Sequence, residues 1–485
     1  MINFRLITLV TGLFLTKLAL LMLVPAAVGF GDQSEWSFTF LRSAGITFVA
    51  AVLLLRWSGD VRRRLDQITM RVRDMFVITN AVWLLVSSFA ALPLVFIPEV
   101  DYTDAFFETM SGITTTGSTV LVGLDQMPKS VLLWRSLLQW VGGIGFIVVG
   151  VAILPFLNVG GMKLFRTESS DWSDKPVAQT AAFTQYLLRI YMMVTLAGVA
   201  AFWLAGMNLF DAVNHAMTSV STGGYSTSDN SLANFPVPTH WVAALFMFIG
   251  GMPFTLLVRL LTNRDWRALR DEQFIGYFQF ILYASVILAL WLSLTRGDYW
   301  LDAFRLSLVN VISVVTTTGY ALTDYSVWGG FAVSLFFFLT FVGGCSGSTA
   351  GGLKIFRFQV ALRVVNQHLK QSIHPAGVFS RRYNGNAISD SVINSMIVLF
   401  ILFMMTWTIM TVCLALIGLD FVTAATGALT AICNVGPGLG PTIGPAGNFS
   451  SLPDAAKWIL SIGMLLGRLE VTTCVVLLLP RFWRQ

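Results

Sequence analysis

The chain has 485 residues, of which 55% are hydrophobic and only 12% charged, with a mean hydropathy of +0.73 and a formal net charge of +6. A soluble domain carries about 25% charged residues, so this composition excludes a water-soluble globule and calls for lipid around the surface. The apolar residues form continuous runs rather than alternating strands, which excludes a membrane barrel and leaves helices.

In chain order, apolar runs cover Leu6 to Phe30, Met75 to Phe96, Ser130 to Leu157, Leu187 to Ala205, Ile393 to Ile417 and Trp458 to Leu479. Crossing a hydrocarbon core takes roughly 20 helical residues. The first run is too long for a signal-peptide core and lacks a small-residue cleavage site, so a retained helix is expected. Cys345, Cys413, Cys433 and Cys474 lie in or beside apolar segments with no metal-site or disulfide spacing. Basic residues cluster in alternate loops: Arg62, Arg63, Arg64, Arg71 and Arg73; then Lys163, Arg166 and Lys175; then Arg259, Arg264, Arg267 and Arg270. A fourth cluster holds Lys354, Arg357, Arg363, Lys370, Arg381 and Arg382, and the tail holds Arg481 and Arg484. The intervening loops carry acids such as Asp101, Asp229 and Asp324. The positive-inside rule places the basic loops in the cytoplasm. Short runs separated by spans do not make a nucleic-acid surface.

After two leading helices at about 4–30 and 35–56, one unit recurs at intervals of roughly 100 residues. It comprises a spanning helix, a short apolar segment, a Thr/Gly turn and a second spanning helix with a glycine pair. The turns are Thr114-Thr115-Thr116-Gly117, Ser221-Thr222-Gly223-Gly224 and Thr316-Thr317-Thr318-Gly319, with a degenerate fourth, Cys433-Asn434-Val435-Gly436. Asp104-Ala105-Phe106, Asp211-Ala212-Val213, Asp302-Ala303-Phe304 and Phe421-Val422-Thr423 lead into them. Gly142-Gly143, Gly250-Gly251, Gly343-Gly344 and, less regularly, Gly463 and Gly467 follow.

About a dozen residues separate each leading segment from its turn, too few to span. Irregular backbone at membrane depth survives only where protein buries it or water lines it, so each half-helix and turn is expected to form a re-entrant pore loop. Two spans per unit give all copies the same orientation, which suits a pseudo-fourfold axis along the membrane normal. Inverted repeats are the pattern of many secondary transporters. A single Thr-Thr-Gly turn is an ordinary helix cap; its recurrence at matching points is what points to a pore. Backbone carbonyl rings replace the water stripped from a potassium ion, and glycine lets the backbone approach closely. In the second turn, Gly223 matches the Thr-Gly dipeptide and Gly224 matches the spacing from the upstream Asp, so either is a candidate filter glycine.

On these turns and glycine pairs, from about Met75 onward, the chain resembles the Trk/Ktr/HKT superfamily of potassium transporters, and its extra N-terminal helix pair is similar to the Trk branch. The resemblance implies potassium binding at the four turns, with Gly117 at the position that favours potassium over sodium. It implies a homodimer with one pore per chain in a bacterial inner membrane, both termini cytoplasmic. The implied partner is a cytosolic nucleotide-binding regulatory subunit of the TrkA kind. No cofactor is expected on this chain, and potassium is its substrate.

Below the third turn lies Gly343-Gly344-Cys345-Ser346-Gly347-Ser348-Thr349-Ala350-Gly351-Gly352. Such glycine density costs a helix about 1 kcal/mol per residue against Ala; the resemblance implies an intramembrane gating loop, the alternative being close helix packing through small residues. Gly347 to Gly352 has Walker-A spacing but Leu353 at the lysine position, and Ser346 lacks the elbow glycine at Ser348, so no enzyme is expected. Arg468 and Glu470 sit within the last apolar run, where ionisable residues mark function. Arg468 resembles the family's pore-facing arginine, the alternative being a structural arginine on loop carbonyls. The four histidines carry no evident role.

The expected fold is an all-α integral membrane protein. Residues 1–73 form two N-terminal helices and a basic loop; 74–165, 166–265, 266–385 and 386–485 form repeats one to four, with the gating loop at 343–352. The expected function is channel-like potassium uptake, with a coupled secondary transporter as the alternative.

Overall fold

The computed structural model describes residues 2–31, 35–59, 71–98, 100–152 and 176–484, with side chains left out at 148–152, 176–183 and 263. Arg62, Arg63, Arg64, Lys163, Arg166, Lys175 and the boundary between repeats one and two lie outside the described residues.

The leading pair is α1 (Phe4–Leu21), continued by α2 (Leu23–Gly31) as one 28-residue apolar span, and α3 (Trp36–Trp57). Repeat one holds α4 (Val72–Ala90), the short α5 (Tyr102–Ile113) and α6 (Lys129–Ala152). Repeat two holds α7 (Pro176–Leu204), the short α8 (Leu209–Val220), α9 (Val237–Gly251) and α10 (Phe254–Asn263). Repeat three holds α11 (Glu272–Arg296), the short α12 (Trp300–Val315), α13 (Gly330–Phe341) and α14 (Ile355–Ile373). Repeat four holds α15 (Asp390–Leu416), the short α16 (Phe421–Cys433), α17 (Asp454–Arg468) and α18 (Val471–Val475). The fold is all-α, two leading helices and four tandem helix–pore loop–helix units.

Strand pairing is confined, among the described residues, to two dipeptide ladders. Val342–Gly343 (β1) runs parallel to Leu353–Lys354 (β2), pinching the glycine-rich loop at its base. Arg382–Tyr383 (β3) and Asn386–Ala387 (β4) form a hairpin after α14.

The four short helices have 12, 12, 16 and 13 residues, or roughly 18–24 Å at 1.5 Å per residue, less than a hydrocarbon core. Each also packs on the second helix of the preceding unit: α8 on α6, α12 on α9, α16 on α13, and α5 on α17. That cycle closes the units around one centre. Burial follows from it: the apolar window of α6 is 78% buried, whereas that of α15 is 22% buried and presents its side chains outward. Residues such as Leu204, Leu294 and Leu416 are more than three-quarters exposed, and only a hydrocarbon solvent stabilises such a surface.

Two expectations of continuous second helices are corrected. In repeat two, α9 and α10 meet at 99° around Met252-Pro253, where proline removes a helical hydrogen bond. The last run, Trp458 to Leu479, bends by 110° between Arg468 and Val471, with Glu470 at φ +59°. Arg468 and Glu470 therefore sit at a break rather than inside a helix. Among the described residues, three of the four second helices break, whereas α6 continues unbroken from Lys129 to Ala152.

Candidate ion pathway: a ring of four turns and the floor beneath it

Local chemistry starts each short helix. Asp101, Asn208 and Asp420 cap α5, α8 and α16 by accepting from the backbone N–H of Asp104, Asp211 and Thr423. Hydrogen bonds from Thr423, its hydroxyl foremost, hold the Asp420 carboxyl below the usual carboxylate range. Asp104, Asp211 and Asp302 occupy first turns, where a negative charge complements the helix dipole. The recurring Asp-Ala dipeptide is thus a helix start.

The ends are equally uniform. Thr115, Thr222, Thr317 and Asn434 adopt left-handed backbone, at φ +54°, +51°, +57° and +55°. The next N–H in each turn reaches back five residues: Thr116 to Ser111, Gly223 to Thr218, Thr318 to Ser313 and Val435 to Thr430, at 2.8–3.0 Å. This is the Schellman cap, usually made with glycine. Here it is made with threonine or asparagine, at a strain of about 1–2 kcal/mol per left-handed residue, the kind of strain that gathers at functional sites. Cap and pore loop are therefore the same object.

The chain after each cap enters a ring. Gly117, Gly224, Gly319 and Gly436 all have positive φ, from +78° to +107°. A Cβ on Gly117 would strike the Gly223 carbonyl, one on Gly224 the Thr318 carbonyl, and one on Gly319 the Val435 carbonyl. One on Gly436 would meet the Thr116 carbonyl at 2.9 Å. The carbonyls of Thr116, Gly223, Thr318 and Val435 thus follow one another around a closed circle, each backed by a glycine of the adjacent unit. In the second turn Gly224, not Gly223, has the positive φ and faces a neighbour's carbonyl. Gly223 is glycine for another reason: a side chain there would overlap Gln139. The degenerate fourth turn also keeps the backbone of the others, because asparagine tolerates left-handed geometry.

The braces differ from turn to turn. Thr114 and Thr116 share a hydroxyl hydrogen bond of 2.8 Å, and Thr316 and Thr318 one of 2.7 Å. In turn two, Gln139 Nε2 donates to the Gly223 carbonyl at 2.6 Å, and its Oε1 accepts from Tyr225 N–H at 3.0 Å. In turn four, Asn434 Nδ2 donates to Thr116 Oγ1 and to the Met464 carbonyl, both at 2.9 Å. Behind turns one and two, buried Arg135 pairs with Glu108 at 2.7 Å, lies 4.0 Å from the Tyr225 ring and donates to the Ser226 carbonyl. Tyr225 Oη donates to the Glu108 carbonyl at 2.7 Å.

The glycine-rich loop crosses directly below. Gly343 and Gly344 lead into it; Cys345, Ser346, Ser348, Thr349 and Ala350 are all buried. Cys345 N–H donates to the Gly251 carbonyl and Ser346 N–H to Gln273 Oε1, while the Gly347 carbonyl accepts from Phe254 N–H. Ser348 folds back on the Cys345 carbonyl. Thr349 is the anchor to turn two: its hydroxyl contacts the Val220 carbonyl and Thr222 Oγ1, both at 3.1 Å. Gly351 N–H donates to Thr317 Oγ1 of turn three at 2.7 Å, and Gly352 takes φ +65° to return into β2. The left-handed threonines of turns two and three thus hold the floor to the ring. The Thr115 hydroxyl of turn one has no partner among the described residues.

Buried cations tie down the same loop. Arg468, 0% exposed, donates to the Thr349 carbonyl at 2.9 Å and to the Gly142 carbonyl at 3.3 Å. Lys354 Nζ donates to the adjacent Ala350 carbonyl. Both lie over the Phe146 ring, at 4.1 and 5.3 Å from its centroid, a favourable placement for a desolvated charge. Arg468 does bind a carbonyl of the loop, that of Thr349. Glu470 does not pair with Arg468; it takes Arg357 of α14 at 2.5 Å.

No sequence motif marks Gln139, Glu108 or Arg135, and Lys354 stands out only as a member of a basic cluster. Each acts on a partner at least 27 residues away except Lys354, which acts four residues back. Among the histidines, buried His215 bonds the Asp211 carbonyl and Ser226 Oγ, a structural arrangement. Among the described residues no three His, Cys, Asp or Glu side chains converge as a metal site would require.

Comparison with known proteins agrees with this architecture. The profile of the TrkH family, described as cation transport protein, matches residues 42–317 and 301–484. The chain is 47% identical to the Trk system potassium uptake protein TrkI of Halomonas elongata, over 96% of this chain and 94% of that one. It is 36% identical to the Trk system potassium uptake protein TrkH of Escherichia coli over the whole of both chains. The crystal structure of the potassium transporter TrkH from Vibrio parahaemolyticus superposes with a TM-score of 0.90 at 32% identity, covering 99% of this chain and 100% of that one. A cyclic arrangement of four pore loops, a profile match along most of the chain and full-length relatives agree: the chain belongs to the TrkH family of cation transport proteins.

Proposed function

We propose that this chain takes up potassium across the cell membrane through a channel-like pore whose selectivity filter is the ring of turns 114–117, 221–224, 316–319 and 433–436. The observation that carries the reading is the circle of Thr116, Gly223, Thr318 and Val435 carbonyls, each backed by a positive-φ glycine. Carbonyl dipoles substitute for the hydration shell of potassium, and the short helices turn the negative ends of their dipoles towards the same region. The relatives' names, potassium uptake proteins of a Trk system, support both the ion and a multi-component assembly.

The gate in this reading is the loop 343–352 with Arg468, which obstructs the path below the ring and adds positive charge to it. The remaining parts are a homodimer with one pore per chain, a TrkA-like nucleotide-binding subunit on the cytosolic side and a bacterial inner-membrane location. Basic loops and both termini are cytoplasmic, and repeats one to four keep the boundaries given above. In this reading the chain is a transporter and not an enzyme. Rubidium flux against an imposed potential, with and without a pH gradient, separates electrodiffusion from symport.

The filter is tested by Gly117→Ser in proteoliposomes. A side chain there meets the Gly223 carbonyl and must hold φ +88°, so the ring is displaced and discrimination of rubidium against sodium falls. An unchanged flux ratio in a correctly folded variant sinks the filter assignment.

A further inference from the structure

Beyond the pore, α14 and the segment after it enclose a second feature. A hollow of about 460 Å³ opens between the last turns of α14 and residues 378–382. Arg363, Lys370, Arg381 and Arg382 line it together with Asn366 and Ser380, and no acidic residue does. Its walls are fixed: Gln367 Nε2 donates to the Phe379 carbonyl at 2.9 Å, Tyr383 Oη to Gln359 at 2.8 Å, and Arg363 to the Arg382 carbonyl. Two of the cations are balanced from outside the hollow, Arg363 by Glu272 and Arg381 by Asp390. Lys370 and Arg382 have no ion-pair partner among the described residues. The hollow therefore holds two uncompensated positive charges beside a fork of guanidinium donors, a donor set suited to phosphoryl oxygens.

The neighbouring surface indicates where the phosphate comes from. Arg363, Asn366, Gln367 and Lys370 lie at i, i+3, i+4 and i+7 on one face of α14. On the adjoining face Leu362, Val365, Leu369 and Ile373 are 55–72% exposed, and Val378 at the rim is 98% exposed. An apolar stripe beside a basic one is the pattern of a helix lying at headgroup depth. We infer that this hollow binds the phosphate-bearing headgroup of an anionic phospholipid, its acyl chains lying along the apolar stripe. Because α14 begins where the floor loop ends, at Lys354, an occupied hollow is mechanically connected to the floor. That last connection alone rests on the proposed gate; binding does not.

The test uses the full-length protein in mixed micelles of phosphatidylcholine and phosphatidylglycerol, with retained phosphatidylglycerol counted by native mass spectrometry. K370Q/R382Q, which spares the two cations that hold the fold, is expected to weaken retention roughly tenfold, while K370R/R382K keeps it. Inorganic phosphate in large excess is expected not to displace the lipid. Unchanged retention in K370Q/R382Q, or equal loss in K370R/R382K, overturns the site. Displacement by phosphate overturns the lipid source. Rubidium flux in vesicles that contain phosphatidylglycerol is read separately: its failure in the unmodified protein counts against the pore, and leaves the binding result standing.

Discussion

The ring of turns and the floor beneath it are a few residues apart in space and are built on opposite plans. In the ring, four turns of three different sequences produce one backbone: a left-handed residue, a five-residue return hydrogen bond and a positive-φ glycine beside a neighbour's carbonyl. In the floor, one sequence occurs once and is held by unlike groups: Gly250, Gly251 and Gln273 on one side, Thr317 above, and Arg468 from the last repeat. Selectivity needs equivalence, because an ion must meet similar oxygens on every side. Opening and closing need inequivalence, because one element has to move while the others stay.

The comparison is broken most severely at the Arg357–Glu470 pair, which joins α14 to the bend in repeat four. Its residues are 1% and 8% exposed, and removing one partner of such a pair costs about 3–5 kcal/mol. Glu470→Gln is therefore expected to lower the thermal midpoint in detergent by several degrees. Under the floor reading it also raises resting rubidium flux while leaving the rubidium-to-sodium ratio unchanged. An altered ratio would mean that ring and floor are one unit.

Arg468→Met should have the next largest effect. At an effective dielectric near 20 and a separation on the order of 8 Å, one charge contributes a barrier of about 2 kcal/mol, or roughly 30-fold in rate. Resting rubidium flux in liposomes is expected to rise by that order, and a flux no greater than that of the unmodified protein would remove Arg468 from the gate.

The smallest effect sharpens the ring itself. Gln139→Leu removes a brace found only in turn two, at about 1 kcal/mol for a neutral hydrogen bond. Selectivity is expected to fall slightly, and less than for Gly117→Ser. A fall as large as that of Gly117→Ser would show that the four turns are not equivalent.

Much of this was legible in the residues. Apolar runs, the Asp-Ala helix starts and the Thr-Gly turns are local signals whose physics acts within a few residues, so they gave the spans, the half-helices and the fourfold unit. The bend at Met252-Pro253 had its proline in plain view but lay within an apolar run, and hydropathy alone reads such a run as continuous. The 110° bend near Glu470 follows Gly467 and has no proline. At the bend, Glu470 meets a buried partner on α14, 113 residues away. The second-turn ambiguity was of the same kind, because Gly223 answers to Gln139, 84 residues upstream.

By itself, then, the sequence determined that this chain lives in a membrane and that one unit occurs four times with the same orientation. Composition and periodicity act locally and additively along the chain, which is why they could be read without coordinates. Only the tertiary structure decided which glycine of turn two has the positive φ and faces a neighbour's carbonyl, and that three of four second helices break. It also decided that Arg468 and Lys354 converge on the floor while Glu470 pairs with Arg357 of α14. Those features depend on which buried donors meet which carbonyls across distant repeats, and each buried polar group must find its partner in space rather than along the sequence.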